Sequence, residues 1–380
     1  MDMRARLNVA RVLAVVGLVA GLLALPGPAV GAAAAPRVTV IARGLDNPRG
    51  IAFGPEGALY VAEAGRGGAG PCTSFELFGA PLCFGPSGAV TRVRRGHQQR
   101  VATGFGSFAH SDGDFAWGPH DISFQGRSGA YVTVGGCFPV TPAQTNCGVL
   151  FRLSPNGERR LVADLNAYEL RNNPDGAHPG ESNPYGVLAL PGERIVSDAA
   201  GNDLLRVGPD GQISTLAVFP ERLVPAPPFL GLPPGTQLPM DAVPTGLALG
   251  RDGALYVGEL TGFPFPVGAA RVYRVAPGHA PQVFAEGFTN VIDIAFDHDG
   301  GLLVLEIAKN SLLSNDRTGA LIRVDRNGSR QTLLSEGLIN PTAIAVRGEA
   351  VYLSNCGTCA GAGQVIRISF GDNADHGDDD

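Results

Sequence analysis

One pattern recurs six times along this chain and dictates what it can fold into. Each copy opens on a turn dipeptide, usually ending in proline, and runs into a short apolar strand. A tight turn at glycine follows, then a second strand that ends on a polar residue. A variable loop, a third strand, another tight turn and a fourth strand complete the unit. The copies begin at Asn47 (NPRGIAFGPEGALYVAE), Gly118 (GPHDISFQGRSGAYVTV), Asn183 (NPYGVLALPGERIVSDA), Val243 (VPTGLALGRDGALYVGEL), Asn290 (NVIDIAFDHDGGLLVLE) and Asn340 (NPTAIAVRGEAVYLSN). Six four-stranded units of about 45–70 residues fit a β-propeller. The sixth copy stops after GQVIRISF, one strand short, while the segment from Val38 (VTVIARGL) matches the fourth strands of other copies. The expectation is therefore all-β: six four-stranded antiparallel blades, the last closed by the N-terminal strand Val38 to Arg43. Such closure leaves no open sheet edge, which separates a ring from an open solenoid.

The flanks read differently. Arg4, Arg6 and Arg11 precede an apolar run from Val12 to Leu25, and small residues follow from Ala29 to Ala35. Positive, apolar, then small is the order of a secretory signal; a retained anchor is the alternative. The chain thus divides into a signal over 1–35, one propeller over 36–370 and an acidic tail over 371–380, and the mature protein is expected outside the cell. The six cysteines fall into local pairs, Cys72 with Cys83, Cys137 with Cys147, and Cys356 with Cys359. In an exported chain these read as disulfides. The CGTC segment from Cys356 leaves a metal or redox pair open, but it lies between strands rather than opening a helix. A net charge of −6 without a basic run argues against nucleic acid. No membrane span is expected after signal removal, and a monomer is the simplest state.

In a propeller the two hairpin turns of each blade lie on one face, and the loop between strands two and three lies on the other with the interblade connection. Here the hairpin turns are short. The opposite face carries the cysteine loops and the long segments Gly106 to Trp117, Asn166 to Ser182, Pro220 to Asp241 and Thr261 to Gly268. Long loops on a rigid scaffold are where binding sites usually form. Their phenylalanines, Phe75, Phe78, Phe84, Phe138, Phe263 and Phe265, either pack the loops down or contact a ligand. Second strands end on Glu63, Val134, Asp198, Glu259, Glu306 and Asn355, and first strands open on Arg49, His120, Tyr185, Thr245, Ile292 and Thr342. Both sets belong to the loop-rich face. Ring symmetry suggests a channel-mouth site from Glu63, His120, Asp198, Glu259, Glu306 and Asn355. Its metal ligands would be Glu63, Asp198, Glu259, Glu306 and Asn355, since clustered carboxylates favour calcium or another divalent cation. The alternative is a set of strand caps bridged by water or paired with Arg49. No nucleophile motif, zinc-protease helix or phosphate loop is present.

The segments GLDNPRGIAFGPEGALYVAEAGRGG, VGELTGFPFPVGAARVYRV, GFTNVIDIAFDHDG and SNCGTCAGAGQVIRI resemble the ScyD/ScyE family of exported propellers, over roughly Val38 to Phe370. The resemblance implies the fold and export, and no reaction. More distantly the blades resemble NHL-type and SMP-30/gluconolactonase-type propellers, whose enzymes hold a divalent metal at the channel mouth. Two functions follow as expectations: an extracellular binding module for a small molecule or other extracellular ligand, and a divalent-metal-dependent hydrolase or lactonase. Whether the chain is an enzyme stays open at this point.

Overall fold

A computed structural model describes residues 35–73, 80–127, 129–136, 146–176 and 181–370. The expected signal (apart from Ala35), the acidic tail and Cys137, Phe75, Phe78 and Phe138 lie outside them. The chain forms a six-bladed propeller of antiparallel four-stranded blades. From the axis outward, blade 1 is Pro48–Phe53, Leu59–Glu63, Leu82–Arg94 and His97–Ala109. Blade 2 is Pro119–Phe124, Ala130–Val134, Val149–Leu153 and Arg159–Asp164. Blade 3 is Pro184–Leu190, Glu193–Asp198, Asp203–Val207 and Ile213–Val218. Blade 4 is Pro244–Leu249, Leu255–Glu259, Ala270–Val275 and Gln282–Phe288. Blade 5 is Val291–Phe296, Leu302–Glu306, Ala320–Val324 and Arg330–Leu334. Blade 6 is Ala343–Arg347, Ala350–Asn355 and Gly363–Ser369, and its outer strand is Arg37–Leu45. The N-terminal strand thus closes the ring, pairing Val38 with Ile368 and Arg43 with Gln364.

Each inner strand is covered on both sides by neighbouring blades, so second strands such as Ala130–Val134 and Leu302–Glu306 are buried throughout. Valine, isoleucine and leucine fill the wedges between blades, as in the cluster of Ile292, Leu305, Leu321, Leu353 and Ile366 that joins blades 5 and 6. The residue one step into each first strand reads Gly50, Asp121, Gly186, Gly246, Asp293 and Ala343, a three-blade repeat. Asp121 accepts the amides of Ile122 and Val187, each at 2.8 Å, and so ties blade 2 to blade 3. Asp293 does the same between blades 5 and 6, accepting from Ile294 at 2.8 Å and Ile344 at 2.7 Å. The preceding blade has glycine there because a Cβ on Gly50 would lie 2.1 Å from Asp121 Oδ1, and one on Gly246 would lie 2.2 Å from Asp293 Oδ1. Burial raises the Asp121 carboxyl to about 7, and burial together with Asp121 raises Asp293 well above the usual range.

Three segments differ from the sequence reading, one being Pro220 to Asp241, read as loop, which holds a hairpin of Arg222–Pro225 with Gln237–Met240. The outer hairpin of blade 1 is a ribbon of two 13-residue strands, Leu82–Arg94 and His97–Ala109, so Gly106 to Ala109 is strand rather than loop. Register pairs Cys83 with Ala109 and Phe84 with Phe108, whose rings lie 5.3 Å apart, so pairing continues beyond the blade. After blade 2, the helix Leu165–Asn172 occupies what reads as a loop; Asp164 caps it by accepting from Ala167 N–H. Cys72–Cys83 and Cys356–Cys359 are disulfides. Cys147 is also disulfide-bonded, as the expected third pair requires.

Removal of residues 37–45 would leave the strand Gly363–Ser369 as an open edge and uncover Val365 and the buried wedge beside it. We expect the melting temperature to fall by more than about 10 °C, with association through the new edge, since several kcal/mol of packing is lost. Scanning calorimetry and light scattering measure both effects. In Gly246→Ala the new methyl would push Asp293 off its two amides, and urea unfolding should show a loss of about 2 kcal/mol or more.

Candidate functional site on the loop-rich face

The polar residues that end the second strands are buried, and in blades 1, 3, 5 and 6 each serves the turn that enters its own blade. Asp46 N–H donates to Glu63 Oε2 at 2.7 Å, Thr289 N–H to Glu306 Oε1 at 2.7 Å and Ile339 N–H to Asn355 Oδ1 at 2.8 Å. In blade 3 Asn183 N–H donates to Asp198 Oδ1 at 2.7 Å, and Ser182 Oγ donates to Oδ2 at 2.6 Å. The next residue answers: the amides of Ala64, Ala199, Leu260 and Ile307 donate to the carbonyls of Asn47, Asn183, Val243 and Asn290. These four side chains therefore face interblade turns, whereas Glu259 of blade 4 meets Arg222 and Tyr273 and the second strand of blade 2 ends on Val134. Among the described residues no three His, Cys, Asp or Glu side chains form a group able to hold a metal.

Compensation is also local. Arg100 bridges Glu63 and Asp46, at 2.7 Å to each, and Arg222 pairs with Glu259 at 2.7 Å. Because Glu63 and Glu259 already carry guanidinium partners, the five predicted ligands do not fit one shared ion. The expected partner Arg49 instead donates to Ala116 O at 2.7 Å. Glu306 is pushed up to about 7, by burial more than its amide, Arg330 and Lys309 can offset.

The first strands line the channel. His120 and Tyr185 stand with ring centroids 4.9 Å apart. His120 Nδ1 lies 3.1 Å from Pro184 O, and a carbonyl can only accept, so Nδ1 carries the proton. Burial first, and the Arg49 charge second, lower His120 to about 3, so its ring is neutral near pH 7. His120 Nε2, Arg49 Nε and the Tyr185 hydroxyl are buried without a protein partner.

The wall above Arg49 is also the wall of a cleft. Phe115 precedes Ala116 and its N–H donates to Thr358 O, which brings the blade 1–2 connection against blade 6. The blade 5 loop after Glu306 completes a cleft of about 320 Å³. Its chemistry comes from His110, Asp112, Asp114, Phe115, Asp316 and Arg317, none of them among the residues predicted from sequence. His110 stacks on Phe115 at 5.6 Å and 12°, and its Nε2 is buried without a partner. Arg317 is aimed by Nε donating to Asn340 Oδ1 at 2.6 Å and by a contact to Thr358 Oγ1. Asp114 accepts from Ala360 N–H at 2.7 Å, and Asp316 from Asn310 Nδ2 at 2.7 Å. The only sequence signal for this site was loop length.

No family model and no curated protein matches the chain. Solved structures match its fold. A structural-genomics target assigned as a gluconolactonase aligns with a TM-score of 0.52 at 12% identity, over 88% of this chain and 92% of that one. The PQQ-bound aldose sugar dehydrogenase of Streptomyces coelicolor gives 0.52 at 15%, over 89% and 100%. A Bacteroides thetaiotaomicron protein of unknown function gives 0.53 at 10%, over 88% and 76%. At these identities the shared property is the propeller. No helix among the described residues is long and apolar enough to cross a membrane.

His120 supplies a test of the channel's electrostatics. Its folded pKa of about 3 lies below the ordinary 6.5, so its contribution is complete above pH 6.5 and is lost as pH falls toward 3. Asparagine keeps a donor for Pro184 O but does not titrate. The stability gap between wild type and His120→Asn should narrow by about 2 kcal/mol between pH 7.5 and 5. Urea unfolding at the two pH values measures it; a constant gap would mean that His120 is not held neutral.

Proposed function

We propose that the protein is an extracellular binding propeller of the ScyD/ScyE kind that holds a small polyhydroxylated ligand, such as a short oligosaccharide, on its loop-rich face. The observation that carries this is the cleft at Phe115 and Arg317. It joins an aromatic ring, a guanidinium and three carboxylates whose positions are fixed by backbone and side-chain bonds within the fold. Carboxylates accept hydroxyl protons, a guanidinium donates to hydroxyl oxygens, and a ring face packs against the apolar face of a sugar. The volume suits a small ligand. His120 favours binding over proton transfer, because a group at about 3 is a weak base at neutral pH. Export, a monomeric state and the absence of nucleic-acid or membrane partners belong to the same reading.

A calorimetric screen of neutral mono- and oligosaccharides against the mature protein tests it. Phe115→Ala and Arg317→Ala should each weaken a hit by about tenfold or more, whereas Glu259→Gln, outside the cleft, should leave it unchanged. No binding across the screen, or binding indifferent to both cleft variants, would sink the proposal. The second reading is a lactone hydrolase, favoured by Glu306 with its carboxyl at about 7, near the optimum for proton transfer. It requires turnover of a sugar lactone that is lost in Glu306→Gln.

A further inference from the structure

Of the five strand-end residues expected to hold a metal, only Asp198 stands among other carboxylates with no cationic side chain in compensation. It faces Asp203 directly across strands two and three of blade 3. Glu169 reaches over them from the helix Leu165–Asn172, close enough that a Cβ on Gly201 would lie 3.1 Å from its Cδ. Asn202, between Gly201 and Asp203, donates from Nδ2 to Asp175 Oδ2 at 3.0 Å and so holds a fourth carboxylate at the same loop.

The groups are not equally occupied. Asp198 is saturated by Ser182 Oγ and the amides of Asn183, Ala200 and Gly201. Asp203 is 0% exposed, yet neither of its carboxylate oxygens has a hydrogen-bond partner. Glu169 is 2% exposed, and its Oε1 is likewise buried and unpartnered. Burial raises both, and the charges that act on them are other carboxylates: Asp198 and Asp175 on each, and Glu169 on Asp203. Three buried oxygens facing a negative field without a donor need either protons or a cation.

We propose that Glu169 and Asp203 bind a divalent cation between the helix Leu165–Asn172 and the outgoing end of blade 3, with Asp198 and Asp175 supplying the surrounding negative charge. An all-oxygen donor set selects calcium over zinc. Two side chains are fewer than a complete cage, so water and backbone carbonyls supply the rest of the shell. Incomplete protein shells of this kind bind in the range of about 0.1–1 mM, as extracellular calcium modules do. The site pins the one α-helix of the described residues to its blade, and it is separate from the cleft at Phe115.

The test uses the mature protein stripped of metal, at pH 7.5. Calcium should raise the melting temperature in a saturable way, with a midpoint near the binding constant, and equilibrium dialysis should find one equivalent bound. Asp203→Asn, nearly isosteric, should lose at least tenfold in calcium affinity, and Glu169→Gln gives an independent removal if that variant folds poorly. Glu259→Gln and Glu306→Gln should keep the response, which distinguishes this site from a channel-mouth metal. No bound calcium in the wild type, or calcium binding unchanged in both Asp203→Asn and Glu169→Gln, would overturn the proposal. In that case the two carboxyls are simply protonated acids.

Discussion

The architecture depends on one recurring interaction: in blades 1, 3, 5 and 6 a polar residue at the end of the second strand accepts an amide of the chain arriving from the previous blade. The arriving chain must turn sharply, and it does so at Asn47, Asn290 and Asn340, all at positive φ. Asparagine tolerates that conformation better than most residues and bonds locally. Asn47 Nδ2, for example, donates to Gly65 O at 2.7 Å and Gly113 O at 2.8 Å. A turn folded into the seam between blades presents an amide that no strand can pair. Leaving it bare would cost about 1–3 kcal/mol, and a carboxylate is the strongest neutral-pH acceptor for it. The clasp therefore fixes where those four blades begin, and Asp121 and Asp293 lock inner strands to the next blade.

This explains which parts of the structure were legible in the sequence. The repeat fixed strand number, blade order and the exchange of the N-terminal strand, because each depends on spacing and apolar pattern. Those cues also located Glu63, Asp198, Glu259, Glu306 and Asn355 correctly at strand ends on the loop-rich face. They could not give the direction of the side chains. A carboxylate that caps a turn and one that binds an ion at the axis occupy the same place in a repeat. Only the partners in space separate them: Asp46 N–H and Arg100 for Glu63, Arg222 for Glu259. The cleft was illegible for a different reason. His110, Phe115, Asp316 and Arg317 come from two loops of unrelated sequence, and no spacing relates them. The helix Leu165–Asn172 was hidden by a weak amphipathic pattern and a short length.

Charge compensation differs from blade to blade. Blade 1 adds Arg100 and blade 4 adds Arg222, both from segments outside the inner strands. Blade 6 avoids the charge with Asn355. Blade 5 leaves Glu306 under the more distant influence of Arg330 and Lys309. A buried charge without a partner is among the costliest features a core can carry, so each solution answers a requirement of the ring.

Blade 3 departs from that rule. It has the clasp at Asp198 and adds Asp203 and Glu169 where blades 1 and 4 add arginine. Its neighbourhood also departs from the repeat, since the helix Leu165–Asn172 precedes its first strand and the hairpin Arg222–Pro225 with Gln237–Met240 follows its last. Insertions are tolerated there because the clasps already hold the blades, and an inserted segment need only dock. Docking a helix that brings a second acid against an acidic strand end lowers stability unless something positive arrives with it. In blades 1 and 4 the compensating charge is covalent, carried on an arginine. In blade 3 the counter-charge has to come from solution, as a proton or, on the proposal above, as a cation, and in either case the stability of that blade responds to the medium outside the protein.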